Sequence, residues 1–318
     1  MEKLVNIGSG FIEQNTNFPE LISVLQKGFS SNEIIVPKRH HHDFPNPKTG
    51  ADTTMLLMPA WHPEKYAGVK MVTISPENTR FDLPSIQGSY LLMDATTGQV
   101  KAILEAKSLT AKRTAAASAL ASALLSKENA SSLLMIGTGA LSTNLIKAHA
   151  SVRPIKNVFV WGRNFEKVKL ICSELQEEDF HIQSVDTIEE KISEVDIVSC
   201  ATLSKTPLVL GNDLKPGQHI DLVGAYKPDM REAEDEAISK ASVFVDTFDG
   251  LRESGDISIP LENGTLKESA IQGDLFSLCT NQTKGRISDK EITLFKSVGH
   301  ALEDLVAATY YFEKFSNG

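Results

Sequence analysis

From Ser132 onward, short apolar runs recur, all but one neighbouring pair separated by helical stretches: SLLMI (132–136), NVFVW (157–161), FHIQSV (180–185), VDIVSCAT (195–202), followed directly by HIDLVGA (219–225), and SVFVDT (242–247). Strands that alternate with helices must pair in parallel through crossover connections. The rhythm therefore predicts an α/β fold with a Rossmann-type, doubly wound parallel sheet. The first run ends in Gly137-Thr138-Gly139-Ala140-Leu141-Ser142 and opens a helix. In that setting the first glycine makes a tight turn. The second lets backbone approach a pyrophosphate lodged on the helix N-terminus. Ser142 stands where glycine or alanine is usual, a departure small enough to keep helix and strand close.

The end of the second strand bears on which nicotinamide cofactor fits. An Asp or Glu there would accept hydrogen bonds from the ribose hydroxyls of NAD. This chain has Val160-Trp161-Gly162-Arg163-Asn164 instead. A guanidinium can pair with a 2′-phosphate. NADPH is the expected cofactor, with NADH possible.

The chain before Thr110 has a different character. Phe18, Leu21, Ile22, Leu25 and Phe29 recur at helical spacing. MLLMPAW (55–61), VKMVTIS (69–75), SYLLMD (89–94) and QVKAILE (99–105) read as strands, the last two a hairpin closed by Gly98. This is a small mixed α/β lobe. The alanine-rich TAKRTAAASALASALLS, from Thr110, is strongly helical. Near the end, Ser288 and Glu291 look like a capping box opening a helix that breaks near Gly299. The acidic run EAEDE (232–236) reads as a solvated helix face.

Composition narrows the partners. A formal net charge of −9 opposes nucleic acid and anionic membranes. No apolar run reaches the ~18 residues of a spanning helix. Cys172, Cys200 and Cys279 lack metal-ligand spacing and suit a reduced, cytoplasmic setting, and MEKLVNIGSG has no secretory signal character. His40-His41-His42 alternate faces in an extended segment, so no metal site is expected. With only eight arginines among 32 basic residues, the placement of Arg39, Lys70 and Arg113 beside apolar elements marks candidate carboxylate-binding groups. Spacing alone does not show that they converge.

The motifs VPKR (36–39), MLLMPAW, AGVKMVTISPEN (67–78), LTAKRTAAASALAS (109–122), IGTGALS (136–142), VWGRN (160–164), DIVSCATLSKTP (196–207), VGAYKPDMRE (223–232) and GRISDKEITLFKSVGHALEDLVAA (285–308) run in order along nearly the whole chain. Together they resemble the ornithine cyclodeaminase/mu-crystallin family. The resemblance implies a homodimer of two-domain protomers. Residues 1–115, completed by 289–318, would bind substrate and dimerise, and 116–288 would form the dinucleotide-binding domain. It implies that Arg39, Lys70 and Arg113 hold a substrate carboxylate, with Lys70 the candidate catalytic residue. Gly137, Thr138, Gly139, Ala140 and Leu141 would hold the pyrophosphate, Arg163 and Asn164 the adenosine end. Thr202, Val223, Ser297 and Gly299 would lie near the nicotinamide, and Thr114 joins the cofactor set. Cyclodeaminases of the family carry a catalytic aspartate two residues after the glycine of the VGA-like segment, where this chain has Tyr226. A phenol, with a pKa of about 10, is a poor base at neutral pH. The resemblance thus points to the reductase branch: Δ1-pyrroline-2-carboxylate to L-proline, and Δ1-piperideine-2-carboxylate to L-pipecolate. The alternatives are ornithine cyclodeamination and a mu-crystallin-type, NADPH-dependent binding protein with little turnover.

Overall fold

A computed structural model describes residues 4–317. The chain divides into two compact units, one running to Arg113 and resuming at His300, the other Thr114–Gly299. No helix among the described residues is long and apolar enough to cross a membrane.

The first unit is built on a six-stranded sheet of β1 (Val5–Ile7), β2 (His40–Phe44), β3 (Thr53–Trp61), β4 (Tyr66–Ile74), β5 (Ile86–Asp94) and β6 (Val100–Glu105). Its order is β1-β6-β5-β4-β3-β2. The β1–β6 pair is parallel and the others are antiparallel. The β5–β6 hairpin turns at Gly98, as its sequence suggests. Alternate residues on neighbouring strands line up in one row, Met58–Lys70–Tyr90–Leu104, and all four are buried. Two-residue periodicity puts that row on a single face. Helices α1 (Ser9–Gln14) and α2 (Phe18–Ser30) belong to this unit, as does the C-terminal helix Ala301–Asn317, which packs against α2 and β3–β5. Leu21, Leu25 and Phe29 of α2 and Leu302, Leu305 and Tyr311 of the C-terminal helix are buried in its core.

Helix α3 (Ala106–Leu125) carries the chain into the second unit. There β7 (Ser132–Ile136), α4 (Ser142–Val152), β8 (Asn157–Trp161), α5 (Phe165–Glu174), β9 (His181–Ser184) and β10 (Ile197–Cys200) follow. Next come β11 (His219–Leu222), α6 (Asp235–Lys240), β12 (Ser242–Val245), α7 (Gly255–Asn263), β13 (Gly273–Asp274), α8 (Leu275–Cys279) and β14 (Thr293–Lys296); the C-terminal helix is α9. The eight strands are all parallel, in the order β13-β12-β14-β11-β10-β7-β8-β9. The strand order reverses between β7 and β10, so the crevice at their carboxyl ends is where a doubly wound sheet binds its ligand.

Three sequence expectations give way here. Residues 187–194 form turns, not a helix, between β9 and β10. The expected helix after Ser288 is instead strand β14, held between β11 and β12 with all four residues buried. A run of Thr-Leu-Phe that fits a sheet centre overrides the local cap signal. Glu291 turns its carboxylate to the Ile287 amide at 2.8 Å, closing a turn rather than a capping box. Thr293–Lys296, assigned on sequence to the first lobe, is therefore a strand of the parallel sheet, and the second unit runs to Gly299. Finally, EAEDE is not a solvated face: Glu232 and Ala233 are fully buried.

The C-terminal carbonyls of α3 illustrate how the second unit is stapled. Arg153 Nη2 donates to the carbonyls of Ser122 (3.2 Å), Ala123 (2.7 Å) and Ser126 (3.1 Å), and Arg286 Nε donates to that of Leu125 (2.7 Å). The Ser122 carbonyl also accepts from the Ser126 amide at 2.9 Å, and the others lie at the helix end, where carbonyls run out of intrahelical partners. Arg153→Leu is expected to cost about 2 kcal/mol, the size of a charge-assisted hydrogen bond, measured as a lower urea midpoint with unchanged slope.

Candidate active site

In the second unit, Gly137, Thr138, Gly139, Trp161, Gly162, Arg163, Asn164, Lys167 and Ala201–Ser204 line most of a cleft of about 570 Å³ at the β7/β10 switch point. Gly137 sits at φ 122°, and a Cβ there would meet the Ala201 carbonyl oxygen at 2.6 Å. Only glycine makes this turn. A Cβ at Gly139 would meet nothing nearer than 4.0 Å, so its backbone stays open to a ligand. Ser142, the sequence departure, is fully buried and donates its hydroxyl to the Gly137 carbonyl at 3.0 Å. It locks the turn from beneath. Ala140 is exposed and Leu141 half-buried just before α4. The turn thus has the shape and open backbone that a pyrophosphate needs.

Arg163 lies exposed at the cleft, and Asn164 caps α5 by accepting from the Lys167 amide at 3.2 Å. Lys167, one helical turn on, adds a second cation that the sequence reading overlooked. Its signal was the spacing Arg163–Lys167, which brings two side chains to one end of a helix.

Along the same sheet edge, the residues that follow β10, β11 and β14 stand in a row. Val223 N donates to the Cys200 carbonyl (2.8 Å) and Ser297 N to that of Leu222 (3.2 Å). Neighbouring strands are about 4.8 Å apart, so Thr202, Val223 and Ser297 span roughly 10 Å, the scale of a nucleoside. Asp246, absent from the sequence-based candidates, shapes the last of these loops. Its Oδ2 accepts from Ser297 Oγ (3.1 Å), Val298 N (2.8 Å) and Gly299 N (2.6 Å).

In the first unit the structure brings Lys70 and Arg113 together, and it adds two carboxylates. Lys70 Nζ lies 2.8 Å from each oxygen of Asp304. Arg113 donates from Nε to Asp304 Oδ1 at 2.9 Å and from Nη1 to Glu303 Oε2 at 2.7 Å. All four side chains are at least nine-tenths buried. Thr114, the next residue on α3, is buried too. Burial, then the Arg113 charge, pulls Lys70 down to about 8 despite Asp304 and Glu303. For Asp304, burial would raise the carboxyl, but Arg113 and Lys70 outweigh it and hold it below its ordinary value. Tyr90 Oη, also buried, has no hydrogen-bond partner among the described residues, and its phenol is raised by burial and by Asp304. Arg39 lies half-buried before β2, near enough that its charge, after partial burial, lowers the His41 imidazole.

Glu303 and Asp304 were not foreseen. Asp304 does stand on the Ala301–Asp304–Ala308–Tyr311 stripe of α9, and a carboxylate on an apolar stripe needs a buried cation. Tyr226 is half-buried, which raises its phenol, and Asp229 is exposed and paired with Lys205 at 2.7 Å. The Tyr226 phenol is therefore a poor base at neutral pH.

The depressed Lys70 has a sign that can be checked. Between its folded value near 8 and the unfolded value near 10.4, the unfolded chain binds more protons, so this residue's contribution to stability rises with pH. Wild type should gain on Lys70→Met by about 2 kcal/mol between pH 8 and 10, as read from urea denaturation of both. A constant difference over that window would contradict the shift.

Comparison with known proteins agrees with this architecture. A Δ1-pyrroline-2-carboxylate reductase of Colwellia psychrerythraea is 40% identical over 96% of this chain and 98% of its own. One of Bacillus cereus is 36% identical over 93% and 90%. The structure of Thermococcus litoralis Δ1-pyrroline-2-carboxylate reductase in complex with NADH and L-proline superposes with a TM-score of 0.91 at 32% identity, covering 98% of both chains. The model of the ornithine cyclodeaminase/mu-crystallin family matches residues 6–318, and the chain belongs to that family.

Proposed function

We propose that the protein is an NAD(P)H-dependent reductase of cyclic imino acids that converts Δ1-pyrroline-2-carboxylate to L-proline, with Δ1-piperideine-2-carboxylate as a second substrate. The observation that carries this reading is the near full-length similarity to reductases of that name. The geometry supports it. A glycine-turn cleft fits a dinucleotide, Lys70 and Arg113 form a buried cationic pair, and position 226 lacks the carboxylate that cyclodeamination requires.

Bound nicotinamide supplies the hydride. The chain's own groups do the rest. Lys70 and Arg113, joined by Arg39, hold the substrate carboxylate and so orient the C=N carbon; positioning of this kind accounts for much of such a rate. Glu303 and Asp304 keep the two buried cations in place before substrate arrives. The imine nitrogen is protonated for hydride to add, and a basic imine can take that proton from water. Lys70 acts chiefly as an anchor. Thr114, Gly137–Leu141, Arg163, Asn164, Thr202, Val223, Ser297 and Gly299 serve the cofactor. NADPH is the preferred form because Arg163 and Lys167 together present two cations and no carboxylate where a 2′-phosphate would lie. NADH is accepted as well.

The protomer pairs with a second copy. The outer face of the first sheet carries Leu57, Val69, Leu91 and Ile103 half-buried and Met71 40% exposed, an apolar surface that a copy of itself would cover.

Following cofactor oxidation at 340 nm tests the function: Δ1-pyrroline-2-carboxylate should be reduced, while L-ornithine with NAD⁺ should release no ammonia above background. Ammonia release from ornithine would reverse the assignment. Arg163→Ala should lose ~1.5–3 kcal/mol of kcat/KM with NADPH and little with NADH; equal losses would refute the phosphate role. For assembly, sedimentation of wild type should give a dimer and Met71→Glu a monomer.

A further inference from the structure

Glu232 is fully buried and has no place in the reaction so far described. Its Oε1 accepts from Thr202 N (2.6 Å) and Thr202 Oγ1 (2.9 Å), beyond β10. Its Oε2 accepts from Gly224 N (2.7 Å) and Ala225 N (3.3 Å), beyond β11. One carboxylate therefore ties together two neighbouring loops at the carboxyl edge of the sheet. The loops are as close as backbone allows: a Cβ at Gly224 would fall 2.0 Å from the Thr202 carbonyl oxygen. Below, Asp256 Oδ1 accepts from the Glu232 and Ala233 amides (2.7 and 3.0 Å), and Lys296 Nζ lies 2.9 Å from Asp256 Oδ2 and 3.9 Å from Glu232 Oε2. The clamp is thus itself held rigidly, by a buried cation shared between two carboxylates.

We propose that Glu232 is a positioning residue for the nicotinamide half of the cofactor, acting through the backbone of Thr202 and Gly224 that it holds together. This rests on the reading that those loops face the nicotinamide. The adenosine half is assigned to the glycine turn and Arg163, and the hydrogen bonds of the Glu232 carboxylate go to Thr202, Gly224 and Ala225 instead. A defect in the clamp should therefore be felt by one half of the dinucleotide and not by the other.

A glutamine in place of Glu232 keeps the shape but puts an N–H₂ against amide donors on one of the two loops. An aspartate keeps the charge but is too short to reach both. The test titrates NADH and ADP-ribose, which lacks the nicotinamide, into wild type, Glu232→Gln and Glu232→Asp. Both variants should bind NADH at least tenfold more weakly and ADP-ribose within twofold of wild type. Their kcat should fall on the order of 10²-fold, the cost of a displacement near 1 Å. Equal weakening of both ligands would reduce Glu232 to a fold residue and overturn the proposal. So would unchanged NADH binding, or full recovery in the aspartate variant. Wild type that binds neither ligand would instead defeat the nicotinamide reading itself, and the clamp with it. If neither variant folds, Thr202→Val, which deletes one arm of the clamp, must weaken NADH selectively and Thr202→Ser must restore it; otherwise the proposal fails.

Discussion

The ion pair between Lys70 and Asp304 joins side chains 234 residues apart and fixes α9 against the six-stranded sheet. Both faces of that sheet carry apolar residues, and α9 packs on β3–β5, where the buried Lys70 meets it. Without α9, the row Met58–Lys70–Tyr90–Leu104 would stand in water, with a lysine in its middle. The geometry explains why the charges are tolerated. Two cations meet two carboxylates, Arg113 engages both acids, and no member is left as an isolated buried charge. Removing one partner from such a set costs far more than the set contributes to stability. In the seating observed, every one of the four charges has a partner.

The second unit solves a related problem at the edge of its parallel sheet. Loops that must meet a ligand cannot bury their own amides against it, yet they have to be held still. Acidic side chains from neighbouring segments do this. Asp246 gathers the amides after β14, Glu232 those after β10 and β11, and Asp256 those of the Glu232 segment itself. Burial raises Glu232, and Lys296 draws it back. The chemistry offered to a cofactor is mostly backbone, and the side chains that shape it lie one layer below.

Much of this was legible in the chain. The apolar runs from 132 to 247 read correctly as parallel strands because each is short, apolar and bounded by turn residues. The glycine turn was recognisable because Gly137 and Gly139 fall between a strand and a helix. The hairpin at Gly98 was equally plain. Legibility failed at β14, where Ser288 and Glu291 imitate a helix cap. It failed again at Glu232, whose acidic neighbours Glu234, Asp235 and Glu236 disguise a buried residue as part of a surface run.

By itself, then, the sequence determined most of the strands and helices and the glycine turn, because these depend on local pattern and on chemistry carried within a few residues. Tertiary structure alone decided which carboxylates meet Lys70 and Arg113, which acid joins the loops after β10 and β11, and to which unit residues 289–299 belong. The reason is physical. Burial and pairing of a charge depend on groups dozens to hundreds of residues away, and nothing in the local sequence of Asp304 or Glu232 distinguishes a partnered acid from a solvated one.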